Sequence, residues 1–167
     1  MTILAIDIAS AKPQAYSLWK NGKLIAYGTI ELIDLIRTIR NSKVPLAVAV
    51  ENIYSARKKE KANFKVYKQL AEVCGAIKYT AIEKGYEFLE PYASEWQLRI
   101  LPIKPLTPRP ERMKWAKTIA KAIVKEHLGK EAEVNDDEAT AICLGQYVSS
   151  REEFKERLED VQEKEKS

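Results

Sequence analysis

Histidine is almost missing from this 167-residue chain, which holds only His127. Histidine-based zinc sites and Ser-His hydrolase triads therefore lack parts. His127 itself sits near a helix C-terminus, where an imidazole most often meets backbone carbonyls. Cysteine is scarce too. Cys74 and Cys143 lie inside apolar helical patterns with no C-x-x-C spacing, which reads as two buried thiols rather than a disulfide or a zinc site. The 6 glycines form no Walker-type or Rossmann pattern, so nucleotide-dependent phosphoryl transfer and hydride transfer find no support. No apolar run approaches the roughly 20 residues that span a bilayer. Met1–Asp7 shows neither the basic region nor the small-residue cleavage site of a signal peptide. A reducing, cytoplasmic setting is the expectation. With 46% apolar and 31% charged residues and only 7 prolines, a disordered, collagenous or low-complexity chain is excluded. The length suits one α/β domain.

Charge is present in blocks. The net value is only +4, yet Arg57–Lys68 holds six basic residues (Arg57, Lys58, Lys59, Lys61, Lys65 and Lys68) against Glu60 alone. Arg99–Lys130 holds nine against Glu111 and Glu126, while acids collect in Glu131–Glu138 and in the tail. Such segregation in a near-balanced chain suggests a surface that faces a polyanion. Solvated faces of Lys/Glu-rich helices are the bland alternative.

Apolar periodicity sets the element order. Thr2–Ile8 is a nearly continuous apolar run interrupted by Asp7, as in a strand buried on both faces. Gln14–Lys20 and Lys23–Ile30 flank Asn21-Gly22, a pair suited to a two-residue hairpin turn. Glu31–Arg40 reads as a helix and Leu46–Glu51 as a second buried strand ending in a carboxylate. A long helix is predicted over Arg57–Lys84, with Gly75 marking close contact with a neighbour. A short strand at Glu87–Glu90, a helical turn at Ser94–Leu101 and a proline-bearing loop at Ile103–Pro110 follow. Glu111–Leu128 is an amphipathic helix with Lys114, Lys117, Lys121 and Lys125 as a basic stripe, stopped by Gly129. Asn135 or Asp136 caps a last core helix running to about Tyr147, and Arg151–Lys166 is a charged helix striped by Phe154, Leu158 and Val161. The fold class is therefore α/β, a mixed sheet of antiparallel hairpin strands and parallel strands flanked by helices. The expected division is a domain over 1–148 and a charged helical tail over 149–167.

Three acidic positions are oddly placed for structural residues. Asp7 breaks one apolar strand, Glu51 ends another, and Asp136, Asp137 and Glu138 crowd the start of an apolar helix. A carboxylate among Ile, Leu and Val costs free energy unless it is paired or coordinates a metal. Neighbouring strands would set Asp7 beside Glu51, and the helix start could bring a third carboxylate to them. Clustered carboxylates are commonly reconciled by a hard divalent cation, and two such ions about 4 Å apart are a recurrent device for cleaving phosphodiesters. Each acid also has a dull reading, as a turn cap, an exposed strand end or a helix cap. Trp19, Trp96 and Trp115 could stack on bases, though core packing or surface anchoring is the commoner use.

Motifs in order add a resemblance. Ile-Leu-Ala-Ile-Asp7-Ile-Ala-Ser10, the Asn21-Gly22 hairpin, Val-Ala-Val-Glu51 and Gln-Leu-Ala-Glu-Val-Cys-Gly75-Ala-Ile are followed by Glu90-Pro91 and Trp96. A Lys-bearing helix and Asp-Asp-Glu-Ala-Thr-Ala-Ile-Cys-Leu-Gly145 complete the series. Over about residues 2–148 the chain resembles the RuvC-like Holliday junction resolvases of the RNase H-like superfamily, in their compact phage and mobile-element form. The resemblance implies a homodimer that uses Mg²⁺ or Mn²⁺, as two ions, to nick four-way DNA junctions symmetrically in recombination and repair. The family's first-strand Asp falls on Asp7 and its fourth-strand Glu on Glu51. Its last-helix acids are spaced i and i+3; the earlier falls on Asp137 and the final one is replaced by Thr140. An alternative register puts Glu138 at the final acid and Asn135 at the earlier one. Ala9 stands where the family has Gly.

The resemblance thus implies Asp7 as the bridge between two metals, Glu51 as a ligand of one, and Asp137 with Asp136 or Glu138 completing the site. Arg57, Lys58, Lys59, Lys61, Lys65, Lys114, Lys117 and Lys121 would neutralise phosphates. Two rivals remain: a binding protein of the same fold that lost a ligand at Thr140, and a nuclease acting on RNA–DNA hybrids or flaps. The Arg57–Lys84 helix is the expected dimer interface, with the Phe154/Leu158/Val161 stripe a weaker candidate.

Overall fold

The computed structural model describes residues 1–53 and 64–166, with main chain alone at 152–154 and 156–166. Five strands form one sheet: β1 (Thr2–Asp7), β2 (Gln14–Lys20), β3 (Lys23–Ile30), β4 (Leu46–Val50) and β5 (Glu87–Leu89), in the order β3-β2-β1-β4-β5. The β1–β2 and β2–β3 pairs are antiparallel, whereas β1–β4 and β4–β5 are parallel. Among the described residues five helices flank the sheet: α1 (Leu32–Asn41), α2 (Phe64–Glu83), α3 (Ala93–Ile100), α4 (Arg109–Leu128) and α5 (Asp136–Lys166). The mixed sheet is the expected one. Among the described residues no helix is long and apolar enough to cross a membrane.

Side-chain alternation in β1 and β4 explains their unbroken apolar sequences. Ile3, Ala5, Ala47 and Ala49 enter one core, with Trp19 and the buried faces of α3, α4 and α5. Leu4, Ile6, Val48 and Val50 enter a second core under α1 and α2, with Leu35, Ile39, Val73, Cys74 and Ile77. A strand with helices on both sides has no solvent face, so no polar alternation survives. The sheet edge behaves differently. Asn21 and Gly22 both take positive φ, 49° and 77°, as a two-residue hairpin turn requires.

Two close fits lock α5 onto β2. Ser17 Oγ donates to the Ala141 carbonyl at 2.6 Å, and Trp19 Nε1 donates to Ser17 Oγ at 2.9 Å. A Cβ at Gly145 would lie 2.0 Å from Trp19 Nε1, so helix and strand approach too closely there for any side chain. The β2–β3 register shifts between Leu18, opposite Ala26, and Trp19, opposite Leu24. At this irregularity the Leu24 amide donates to His127 Nδ1 at 2.9 Å. His127 therefore meets a backbone amide, not a carbonyl, and packs edge-on against Trp19.

Several element boundaries differ from expectation. The helix predicted from Glu111 begins at Arg109, because Pro110 sits in the first turn, where a missing N–H costs nothing. The turn around Trp96 is a complete two-turn helix. The core helix and the charged helix after it, expected as two, form one continuous α5. Gly75 marks no close contact: a Cβ there would meet nothing within 4 Å, since α2 buries the face of Val73, Cys74 and Ile77 instead. Gly129 ends α4 in the left-handed conformation, φ 66°, as expected. The beginning of the predicted Arg57–Lys84 helix lies outside the described residues, as do the side chains of Phe154, Leu158 and Val161.

Candidate active site

The parallel register decides where the first two carboxylates lie. Ile6 is opposite Val50, so the next positions, Asp7 and Glu51, leave the carboxyl ends of adjacent central strands together. Open α/β sheets present their ligand sites at this end. Glu51 is held from the far side by α3: buried Trp96 donates its indole N–H to Glu51 Oε2 at 2.6 Å. The Asn52 amide donates to the Pro91 carbonyl at 2.9 Å, tying the end of β4 to the segment that leads into α3.

α5 supplies the third carboxylate. Its start is a capping box: Glu138 N–H donates to Asn135 Oδ1 at 2.8 Å, and Glu138 Oε2 accepts the Asn135 N–H at 3.2 Å. Glu138 is thereby occupied in the cap. Asp137 is ion-paired with Lys12, and Asp136 pairs with Lys117 at 3.6 Å. Thr140, buried one turn on, donates its hydroxyl to the Asp136 carbonyl at 3.0 Å.

Electrostatics single out Asp7 and Glu51. Burial raises the Asp7 pKa well above the usual carboxylate range; the charges of Glu51 and Asp137 push the same way, and Lys12 and Arg109 oppose them. Burial also raises Glu51, against the Trp96 hydrogen bond and the nearby Arg112 charge. Lys12 rises through its hydrogen bond and charge attraction to Asp137. Burial thus disfavours the charged forms of Asp7 and Glu51, neighbouring carboxylates add to this at Asp7, and cations stand at the rim.

The rim is the part of the site that sequence reading misses. No local pattern links Lys12 to an aspartate 125 positions away. Its loop is shaped by buried Gln14, whose amide accepts the Ala9 N–H at 2.6 Å and donates to the Ala9 and Lys12 carbonyls. Arg109 and Arg112 belong to the basic 99–130 block, but only the fold brings them to the carboxylates. Arg112 is steadied by α3, donating to Gln97 Oε1 at 2.8 Å.

A basic cleft of 610 Å³ opens beside the cluster, lined by Arg109, Lys114, Lys117, Lys121 and Asp136. The three lysines expected to meet phosphate therefore share one surface. They do not stand bare. Lys117, Lys121 and Lys125 pair with Asp136, Glu133 and Glu131 respectively, so the acidic 131–136 segment lies along the basic face of α4. Lys65 is exposed on α2, away from this cleft's lining; Arg57, Lys58, Lys59 and Lys61 lie outside the described residues.

The donor set suits a hard divalent cation on chemistry, being all carboxylate and electrostatically under-compensated at Asp7. Among the described residues no three acids, histidines or thiols are arranged to hold one ion. Lys12 gives a physical reason, since it already engages Asp137. Thiol chemistry is remote: burial pushes Cys74 up to about 11 and Cys143 up to about 12.

No protein-family model matches the sequence, and no curated protein matches it. Solved structures do. RuvC of T. thermophilus in complex with a Holliday junction substrate matches with a TM-score of 0.60 and 15% identity, over 88% of this chain and 91% of that one. Another Thermus thermophilus RuvC structure matches with a TM-score of 0.58 and 14% identity, over 88% of this chain and 92% of that one. The chain has the RuvC-like, RNase H-like fold that its ordered motifs led us to expect.

Proposed function

We propose that this protein is a divalent-metal-dependent, structure-selective DNA endonuclease that nicks four-way junctions in recombination and repair. The observation that carries the proposal is half-buried Asp7 beside Glu51 at the carboxyl ends of two adjacent central strands, with Asp137 close enough for its charge to act on Asp7 and a basic cleft nearby. Likeness in fold to a RuvC seen with a Holliday junction substrate supports the choice of branched DNA. Asp7, Glu51 and Asp137 would hold Mg²⁺ or Mn²⁺, with Asp136 or Glu138 as a further oxygen donor. Such an ion, when bound, supplies positive charge that activates water and stabilises the leaving oxygen.

The chain's own residues supply the rest. Lys114, Lys117, Lys121 and the basic residues of 57–68 neutralise phosphates and position the duplex without reading sequence. Arg109 and Lys12, the cations whose fields reach Asp7, stand where they would offset a phosphate approaching the carboxylates. Lys12 would release Asp137 as a cation takes its place. No nucleophilic side chain is needed, and the two high-pKa thiols fit that reading.

A junction has two equivalent scissile strands, and each chain carries one cluster, so paired nicking calls for a two-fold dimer. Exposed Phe64, Tyr79 and Ile82 on α2 support that helix as the interface. Thr140, where the family has an acid, favours a second reading: a junction-binding protein without cleavage. Incubating the chain with end-labelled four-way junction, fork and RNA–DNA hybrid in Mg²⁺ or Mn²⁺ separates the readings. Symmetric paired cuts in the junction alone support the proposal. Binding without cutting favours the second reading, and preferential cutting of fork or hybrid overturns the junction assignment.

A further inference from the structure

Two tryptophans are fully buried, and their indole N–H groups have very different partners. Trp19 donates to Ser17 Oγ within the core between sheet and α5, whereas Trp96 donates to Glu51 Oε2 at 2.6 Å. A buried indole N–H needs an acceptor in any fold, so satisfaction of Trp96 is the ordinary reading of this contact. Its setting says more. Glu51 lies just past β4 and has three rotatable side-chain bonds, so its carboxylate gains little orientation from the strand itself. Trp96 is only 1% exposed and sits in the middle of α3, which cannot swing freely. The Asn52–Pro91 hydrogen bond fixes α3's leading segment to the residue after Glu51, and Gln97, next to Trp96, holds Arg112. The helix that carries the donor is thus tied to the end of β4 on one side and to α4 on the other.

We propose that Trp96 is a positioning residue for Glu51, its buried indole N–H fixing one carboxylate oxygen so that Glu51 meets a divalent cation in a set orientation. This rests on the metal-site reading above. An indole suits this role because it donates one hydrogen bond, carries no charge and cannot itself become a ligand. Removing a hydrogen-bond partner that orients a metal ligand typically weakens metal affinity by about 10–100-fold.

The test measures Mn²⁺ binding to the full chain by calorimetry, in the wild type, Trp96→Phe and Trp19→Phe. Trp19→Phe controls for losing a buried indole donor remote from the carboxylates. The expected result is Mn²⁺ affinity weakened about tenfold or more by Trp96→Phe and changed less than twofold by Trp19→Phe. A second readout needs no Trp96 variant. In ¹⁵N-indole spectra of the wild type, Mg²⁺ should shift the Trp96 N–H resonance and leave that of Trp19 in place, and Glu51→Gln should abolish the response. Wild-type binding that Trp96→Phe leaves within twofold, or a Trp96 resonance blind to both Mg²⁺ and Glu51→Gln, overturns the inference alone. A wild-type chain that binds no Mn²⁺ overturns the metal-site reading and the inference with it.

Discussion

The surroundings of Asp7 disfavour its charged form, and this has a consequence measurable without DNA. Its native pKa lies above the usual carboxylate value because of burial and the charges of Glu51 and Asp137. An acid raised in this way weakens the fold as pH climbs from about 4 through its native pKa, and the full penalty applies above that value. Metal-free wild-type protein should therefore lose stability relative to Asp7→Asn across this window. Above that window the variant should unfold at a higher temperature than the wild type. Mg²⁺ should raise the wild-type midpoint and leave that of Asp7→Asn nearly unchanged. Thermal melts from pH 4 to 8 check both, and superimposable wild-type and variant curves would mean that Asp7 is not strained. The sequence made Asp7 and Glu51 legible because carboxylates stand out against apolar strands. Lys12, Gln14 and Trp96 were not legible in their roles, because a loop cation or a core indole has no signature until its distant partner is placed.

Packing between elements explains the helical glycine that matters. Gly145→Ala should destabilise the protein by about 1–3 kcal/mol, because the new methyl must displace Trp19 and Ser17. Gly75→Ala should cost less than Gly145→Ala, because a Cβ there meets nothing within 4 Å among the described residues of its own chain and a helix favours Ala over Gly by about 1 kcal/mol. Denaturant melts of the two variants separate these outcomes, and equal effects would contradict the packing. The acidic segment along α4 makes another prediction. Exposed ion pairs contribute little to stability, so phosphate can displace Glu131 and Glu133 from Lys125 and Lys121 at small cost. A Glu131→Gln/Glu133→Gln variant should bind junction DNA more tightly, with its salt slope steepened by up to about 2. Titration at several salt concentrations measures this; unchanged affinity would mean that DNA does not follow this face. The α4 lysines were visible as a stripe, but their acidic partners were not, since the intervening loop decides whether 131–136 folds back. The unbroken α5 was equally hidden: its apolar pattern fades near residue 150 while charged residues of good helix propensity carry the helix on.

At the scale of the whole molecule, the sheet order places Asp7 and Glu51 at one end of adjacent strands, with cores on both faces holding the strands that carry them. The architecture was readable because buried strands, a hairpin dipeptide and amphipathic helices each leave local patterns. Assembly is less directly written. A homodimer through α2 should persist when the chain is truncated after Ser150, since the interface would then owe nothing to the tail. Light scattering at micromolar concentration tests this: a dimer before and after truncation is expected, and a monomer only after it would move the interface to the distal part of α5. The most direct measurement of the central claim is single-turnover cleavage of a labelled four-way junction by wild type and Asp7→Asn in Mg²⁺ or Mn²⁺, with binding followed in parallel. The account predicts symmetric nicks by the wild type, none by the variant, and variant binding as tight or tighter. An Asp7→Asn protein that cuts as fast as the wild type, or a wild type that binds the junction but leaves it intact in both metals, would contradict it.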